Sequence, residues 1–299
     1  MNPLALLCRV APPVAAEVAY RLWWNLGTPE TVHPRDAAVH AEAVTGELEV
    51  NGKRVVTYTW GRGRRVILLV HGWRSRASRF SALVRALERP DRTIVAFDAP
   101  GNGDSPGNRT SVLDYAEAIA QLHDQHGEFE AIVGHSFGVL STFVAVSEGA
   151  RTGSIVGVSG MHDSNAIFGE FVRQARLTRA VADRLRDRVE RRTFTIVDDP
   201  WARFVTRIDD ALPVLLVHDT DDPVVSPTEA DLIELCHTGP VRRLTTSGLG
   251  HNRILGDSGV VAAIASFLEA PRRVEPSGRV ELNGSGMHTR SSASSRETP

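Results

Sequence analysis

The sequence has few cysteines, no long apolar run and almost no net charge. Its two cysteines, Cys8 and Cys236, lie far apart, which excludes a disulfide framework and the close ligand spacing of a cysteine metal site. No stretch approaches the ~20 apolar residues of a membrane span. A net charge of −2 excludes a general attraction to nucleic acid or anionic membranes. We therefore expect a cytoplasmic protein with no metal, no other cofactor, no nucleic-acid partner and no integral membrane span.

The pattern of strands and helices indicates one α/β domain interrupted by an insertion, or at most two domains. Strands alternate with helices over residues 46–160 and again over 213–270, which predicts a mostly parallel sheet. Asn51-Gly52 lies between two β-rich runs and predicts an antiparallel N-terminal hairpin. The Arg-rich, helical segment 161–212 is too long for a connection in a compact domain, so we interpret it as an inserted helical cap.

The two ends of the chain are predicted to lie outside this core. Residues 1–45 read as a helical arm that packs on the domain, with contact to a membrane surface or a partner protein as the alternative. A short apolar run near the start has no basic residue before it, so we expect no secretory signal. Residues 271–299 are rich in Ser, Arg, Gly and Pro and read as a disordered tail. The apolar residues expected on one face of the arm helix are Val14, Val18, Leu22 and Leu26.

The stretch Gly134-His135-Ser136-Phe137-Gly138 joins an apolar run typical of a buried strand to one typical of a helix. A sharp turn between them strains the backbone of Ser136, and Gly134 and Gly138 have no side chains to obstruct it. The hydroxyl group then stands above the sheet edge, and the Phe137 N–H lies at a helix N-terminus that favours an anion. Ser136 is therefore a candidate nucleophile; an ordinary turn with an exposed serine is the alternative.

A second motif, His71-Gly72-Trp73, follows the apolar strand 66–70. Sites in open parallel sheets form outside the carboxyl ends of the strands. Because Gly72 is small, the backbone can fold beneath a bound carbonyl group. The N–H groups of Trp73 and Phe137 are therefore the candidate donors of an oxyanion hole, and a tight turn without function is the alternative.

Several aspartates could hold a catalytic histidine in place. Asp219, Asp221 and Asp222 all follow the apolar strand 214–217, and Asp222 directly before Pro-Val-Val is the favoured candidate. Asp219 and Asp221 are alternatives that could instead cap a helix or hold the loop. Asp163, just after the apolar run 154–158 that predicts another strand, is a further but less favoured candidate.

The favoured base is His251, which follows the last strand of the core in a loop bounded by glycines. Such a loop lets the imidazole swing over the site. His237 ends a helix and His288 lies in the predicted tail, so both are worse placed. Ser136, Asp222 and His251 together form a candidate catalytic triad.

These motifs resemble the α/β-hydrolase superfamily over roughly Val44 to Glu269, since that family orders its triad as Ser, Asp and His. The aspartate before Pro-Val-Val resembles the family's Asp-x-Val-Val arrangement. The stretch from Asp98 to Ser105 resembles its Asp-x-x-Gly-x-Gly-x-Ser turn, which we interpret as structural.

Within the superfamily the chain looks most like the esterases, monoacylglycerol lipases and serine-aminopeptidase-like enzymes. His71-Gly72-Trp73 differs from the His-Gly-Gly-Gly motif of the Gly-rich carboxylesterases. Ser136 argues against relatives that use an aspartate nucleophile, such as haloalkane dehalogenases and epoxide hydrolases.

The resemblance implies an α/β fold with a mostly parallel α/β-hydrolase sheet, an antiparallel N-terminal hairpin and an inserted helical cap. It also implies a serine hydrolase that cleaves carboxylic or thio esters of small molecules through an acyl-enzyme on Ser136. Two alternatives stay open from the sequence: an acyltransferase with the same triad, and a non-catalytic ligand-binding protein of this fold.

Overall fold

One mixed sheet carries the fold. The computed structural model describes residues 3–195, 197–208, 212–270, 278–282 and 287–288. The strands in these ranges are β1 Val44–Val50, β2 Lys53–Gly61, β3 Arg65–Val70, β4 Arg92–Asp98, β5 Ala131–His135, β6 Ile155–Val158, β7 Val214–Asp219, β8 Val241–Thr246, β9 Gly278–Leu282 and β10 Met287–His288. They follow each other across the sheet in the order β1-β2-β4-β3-β5-β6-β7-β8-β9-β10. The strands from β4 through β9 in this order run parallel, whereas β1 with β2, β2 with β4 and β9 with β10 are antiparallel. The expected mostly parallel sheet is confirmed.

Helices connect these strands and cover the sheet. They are α1 Pro3–Val10, α2 Pro12–Trp23, α3 Pro34–Ala41, α4 Ser81–Leu87, α5 Val112–His126, α6 Phe137–Ser147, α7 Ser164–Ala175, α8 Arg179–Thr193, α9 Pro200–Arg203, α10 Thr228–Cys236, α11 Gly250–Arg253 and α12 Ser258–Glu269, with 3₁₀ turns at Ala77–Phe80 and Ile254–Gly256. Among the described helices none combines the length and apolarity needed to cross a bilayer. Helices α1, α2 and α3 lie within residues 1–45, the segment predicted as a helical arm.

The N-terminal hairpin forms where the sequence places it. β1 and β2 pair in antiparallel register from Val50 opposite Lys53 to Val44 opposite Thr59. Asn51 and Gly52 form the two-residue turn with φ of 50° and 72°, a conformation that asparagine and glycine tolerate well. The prediction of an antiparallel hairpin at the edge of the sheet is therefore confirmed.

The central strands are buried on both faces, which explains their continuous apolar runs. In β3, Leu68 joins an apolar cluster on one face that includes Phe143 of α6. Its neighbour Leu69 joins the cluster on the opposite face, which includes Leu83 of α4 and Ile264 of α12. Side chains alternate across the strand, so the two faces fill two separate cores. Because these strands run parallel, the polar groups that follow their carboxyl ends all lie along one edge of the sheet.

Helices α7, α8 and α9 lie between β6 and β7, within the segment predicted as a cap. Helix α2 packs against α8, but not with the predicted apolar face. Val14 and Leu22 are exposed, at 54% and 43% of their surface, whereas Ala16, Ala19 and Tyr20 are buried. The small alanines allow close approach between helices, and this decides which face turns inward.

The segment predicted as a disordered tail contains the two short strands β9 and β10. The backbone of β9 pairs in parallel with β8, from Gly278 opposite Arg242 to Glu281 opposite Thr245. The sequence prediction did not anticipate these strands; the signal it missed is the alternation of polar and apolar residues in Arg279-Val280-Glu281-Leu282. The other residues of the predicted tail from position 271 onward lie outside the described part of the chain.

A buried ion pair ties the sheet to the last helix. Arg92, only 1% exposed, donates from Nε and Nη2 to both carboxylate oxygens of Glu130, at 3.1 and 2.8 Å. Its Nη1 donates to Glu269 Oε1 at 2.7 Å. The interaction joins the start of β4, the entry to β5 and the end of α12. Charged groups at such depth destabilise a fold when one partner is lost.

We expect Arg92→Met to lower the free energy of unfolding by about 3 kcal/mol, since the buried Glu130 carboxylate then keeps only the half-exposed Arg65 as a partner. Arg54→Met is the matched control, because Arg54 pairs with Glu47 on the exposed face of the hairpin. That change should cost less than ~1 kcal/mol. Urea unfolding followed by circular dichroism measures both. Equal losses in the two variants would contradict the importance of the buried pair.

Candidate active site

The turn between β5 and α6 holds Ser136 in a strained conformation. Its φ is 54° and its ψ is −121°, a region that residues with a side chain rarely adopt. The two glycines of the motif are required by close backbone contacts. A Cβ placed on Gly138 would lie 2.2 Å from the Val70 carbonyl oxygen, and one on Gly134 would lie 2.8 Å from the carbonyl oxygen of Gly138. The turn can therefore form only without side chains at these positions.

The structure brings the three candidate triad residues together. His251 Nε2 lies 3.0 Å from Ser136 Oγ, and His251 Nδ1 lies 2.8 Å from Asp222 Oδ2. Ser136 follows β5, Asp222 follows β7, and His251 lies in the short helix α11 after β8. All three are at the carboxyl edge of the sheet, and their side chains are largely buried. A proton can pass from Ser136 to an imidazole that a carboxylate orients.

The Asp222 carboxylate is fully buried but well supplied with donors. Its Oδ1 accepts the N–H groups of Val224 and Val225, at 2.8 and 2.9 Å, while Oδ2 accepts from His251. Burial by itself would raise the pKa of Asp222, but the hydrogen bonds from His251 and the two backbone N–H groups outweigh it and lower the pKa to about 2. The carboxylate is therefore ionised throughout the neutral range.

The other aspartates have different partners. Asp219 accepts from Thr246 Oγ1 and the Leu249 N–H, at 2.7 and 3.0 Å, and thereby holds the loop that leads to His251. Asp221 accepts the N–H of Gly248 at 2.8 Å in the same loop. Asp163 caps helix α7 through the Ala166 N–H. Of the four candidates, the structure places Asp222 against His251.

His135, in the turn that carries Ser136, holds the backbone of His251 in place. His135 Nε2 donates to the backbone carbonyl oxygen of His251 at 2.9 Å, and this fixes the start of α11. Burial, reinforced by the neighbouring His251, lowers the pKa of His135 to about 3. His135 is therefore neutral when His251 takes up a proton, so two positive charges do not meet in the site.

The loop after β3 lies directly against the nucleophile. A Cβ on Gly72 would come within 2.9 Å of Ser136 Cβ, so glycine is needed here as well. His71 Nε2 accepts the Ala99 N–H at 2.9 Å, which leaves the proton on Nδ1 to be donated to the Gly72 carbonyl oxygen at 2.7 Å. Tyr115 donates its hydroxyl to the same oxygen at 3.2 Å. Burial lowers the pKa of His71, which favours the neutral form that this arrangement needs.

These bonds fix the peptide group that carries one candidate oxyanion donor. In a trans peptide the N–H points opposite to the preceding C=O. Since the Gly72 carbonyl is directed toward His71 and Tyr115, the Trp73 N–H is directed away from them. The Phe137 N–H is the first of α6 and has no acceptor within the helix. Both predicted donors thus belong to backbone segments that adjoin Ser136.

The turn at Asp98 has the structural role expected from the sequence. The Asp98 carboxylate is fully buried and accepts the N–H groups of Ala77 and Asp104, at 2.7 and 2.8 Å. It also accepts the hydroxyl of Tyr58 at 2.9 Å. These bonds join the loops that follow β3 and β4 to strand β2.

A cavity of about 620 Å³ adjoins the triad and is lined mainly by apolar groups. Ser136 and His251 form part of its wall, so a bound molecule reaches the candidate nucleophile directly. Its aromatic lining comes from three parts of the chain: Trp73 and Phe137 of the core, Phe171, Phe194, Trp201 and Phe204 of the cap segment, and Trp23 and Trp24 at the end of α2. Cavities of this size and polarity are typical of small-molecule sites.

Sequence reasoning missed three contributions to the site. Tyr115 is one of many buried residues on α5, and its spacing gives no sign of the bond to the Gly72 carbonyl. His135 was named as part of the turn without a partner. Trp23 falls on the apolar face of the predicted arm helix, but the sequence gives no sign that its ring lines a cavity of the core.

Comparisons with known proteins agree with this geometry. Residues 67–286, most of the chain, match a family model described as the alpha/beta hydrolase family. No match by sequence was found among curated proteins.

Solved structures give the same fold. The alpha/beta hydrolase domain-containing protein 10 of mouse is 15% identical with a TM-score of 0.58, and the match covers 76% of this chain and 97% of that one. An esterase of Pyrococcus furiosus is 16% identical with a TM-score of 0.56, covering 81% and 96% of the two chains. A thioesterase domain from the curacin biosynthetic pathway is 18% identical with a TM-score of 0.55, covering 76% and 99%.

At such low identity these structures show the likeness of fold alone. The family model, which spans the strands from β3 through β9 together with the turn at Ser136 and the loops that carry Asp222 and His251, goes further. The chain therefore belongs to the alpha/beta hydrolase family.

Proposed function

We propose that this protein is a serine hydrolase that cleaves carboxylic or thio esters of small molecules. The observation that carries the proposal is the continuous hydrogen-bonded chain from Ser136 through His251 to Asp222, with distances of 3.0 and 2.8 Å. Ser136 and His251 lie in the wall of an apolar cavity, where an ester can bind. Structural neighbours include esterases and a thioesterase domain, which agrees with this chemistry.

The first half-reaction forms an acyl-enzyme. Ser136 Oγ attacks the ester carbonyl carbon while His251 Nε2 takes the serine proton. The carbonyl oxygen becomes an anion that the N–H groups of Trp73 and Phe137 stabilise. Asp222 stabilises the imidazolium and keeps its Nδ1–H directed to the carboxylate. As the tetrahedral intermediate collapses, His251 donates the proton to the leaving alcohol or thiol.

The second half-reaction releases the acid. Water takes the place of the departed alcohol or thiol, and His251 accepts one of its protons as its oxygen attacks the acyl carbon. The same two N–H groups stabilise the second oxyanion. His251 then returns the proton to Ser136 Oγ, the carboxylic acid leaves, and the enzyme is restored.

Ser136→Ala should lower the rate of ester hydrolysis on the order of 10⁴-fold or more, because the covalent route is lost. Stability should change by less than ~1 kcal/mol, since only one hydroxyl group is removed. Nitrophenyl ester turnover and circular dichroism measure the two effects. A fluorophosphonate probe should label the wild type and not the variant. Wild type that resists labelling would instead indicate a non-catalytic binding protein.

Asp222→Asn should lower turnover by ~10²–10⁴-fold with the fold intact, since an amide holds the imidazole in the wrong tautomer and does not stabilise its charge. Asp221→Asn is the matched control from the same loop. An asparagine oxygen can still accept the Gly248 N–H, so this variant should retain turnover within about threefold. Comparable losses in the two variants would argue against Asp222 as the acid of the triad.

Turnover should fall along a single limb on acidification, because a general base has to be unprotonated to act. The pKa values of Asp222 and His135 are about 2 and about 3, so both groups titrate below the mildly acidic range. Asp222 is therefore ionised and His135 neutral from mildly acidic to mildly alkaline pH, and neither should add a limb of its own. Measurement of kcat/KM over this range tests the expectation. Two separate acid limbs would contradict it.

A further inference from the structure

The N-terminal helix α2 is firmly attached to the cap segment. Tyr20 hydrogen-bonds Thr193 of α8 between the two hydroxyl oxygens at 3.2 Å. Glu17 forms ion pairs with Arg188 and Arg192 of the same helix, at 3.3 and 3.1 Å. Buried Ala16 and Ala19 allow the helix to sit close to its neighbours. Polar and apolar contacts together hold α2 in one place.

Attached in this way, α2 brings Trp23 into the wall of the cavity beside Ser136 and His251. The indole ring meets Phe168 and Phe171 of α7 edge to face, with centroid distances of 5.7 and 5.1 Å. Such contacts fix the position of the ring. The wall of the cavity is thus made partly by a helix that precedes every strand of the sheet in sequence.

The acidic side chains that line this cavity do not favour a cationic substrate. Glu30 and Glu170 each form an ion pair with an arginine. Burial raises the pKa of Glu229, which makes its neutral form more accessible. Arg74 also lines the cavity and is a cation. Most of the lining surface is apolar, and its aromatic side chains favour apolar ligands.

We propose that Trp23 is a specificity-determining residue and that the substrate carries an extended apolar or aromatic group beside its ester. This inference rests on the proposed function. When the ester carbonyl is at Ser136, the apolar group extends along the cavity and packs against the Trp23 ring. Binding of that group is stabilised because apolar surface is removed from water. A short ester does not reach Trp23, so its binding is not stabilised in this way.

The test uses the full-length chain and two series of esters. One series varies the acyl group of nitrophenyl esters from acetate to decanoate, and the other varies the alcohol of acetate esters from ethanol to octanol, followed by acid release. Trp23→Ala, Trp23→Phe and Val14→Ala are compared with wild type. Val14 lies on the same helix, is 54% exposed and does not line the cavity, so it controls for changes in α2.

In one of the two series, Trp23→Ala should lower kcat/KM for the long ester by ~10-fold while the short ester stays within about threefold. The series that responds identifies whether the acyl or the alcohol group occupies the cavity. Trp23→Phe should restore part of the preference, because a phenyl ring keeps some of the contact. Val14→Ala should match wild type throughout.

The inference would be overturned if Trp23→Ala protein with a native circular dichroism spectrum kept the wild-type ratio of kcat/KM for long and short esters, within about twofold, in both series. A failure of the proposed function would look different. Wild type itself would then hydrolyse no ester of either series and would not react with a fluorophosphonate. Short-ester turnover by Trp23→Ala also shows that the variant has folded with its triad intact.

Discussion

The site depends on how closely three backbone segments pass one another at the end of β5. The start of α6 lies against the last residue of β3, and the loop after β3 lies against Ser136. Glycine occupies each point of closest approach, since a methyl group at Gly138 or Gly72 would collide with backbone or with Ser136 itself. This steric constraint sets the position of Ser136 and of both candidate oxyanion donors at once. The strain in the serine backbone is compensated by the buried strands and helix on either side.

A second set of interactions aligns the groups that would move protons in the proposed reaction. Three histidines of the site have different roles that their hydrogen bonds determine. His251 lies between Ser136 and a buried carboxylate, His135 secures the backbone of His251, and His71 secures the peptide group after Gly72. Burial keeps His135 and His71 neutral. Of these three imidazoles, that of His251 contacts the Ser136 hydroxyl group.

Features that depend on residues close together in sequence could be predicted from the sequence. Asn51-Gly52 specifies its own turn, and Gly134 and Gly138 mark the turn at Ser136 because glycine is needed there for local reasons. The positions of Asp222 and His251 after successive strands follow from the parallel sheet. The buried face of α2 could not be read in the same way, since Val14 and Leu22 fit a helical stripe as well as the alanines do. What decides between the two faces is α8, whose residues come more than a hundred positions later.

The attachment of α2 to the cap segment has a consequence for how the protein is made. Tyr20 and Thr193 are 173 positions apart. During synthesis Trp23 of α2 is made long before α7 and α8 emerge, and contacts between such distant segments form late because of the loop entropy that closure costs. Until then Trp23 lacks Phe168 and Phe171, its ring partners on α7, and is exposed to association with other chains. The cavity is consequently among the last parts of the molecule to be completed, well after the sheet that carries Ser136 can assemble.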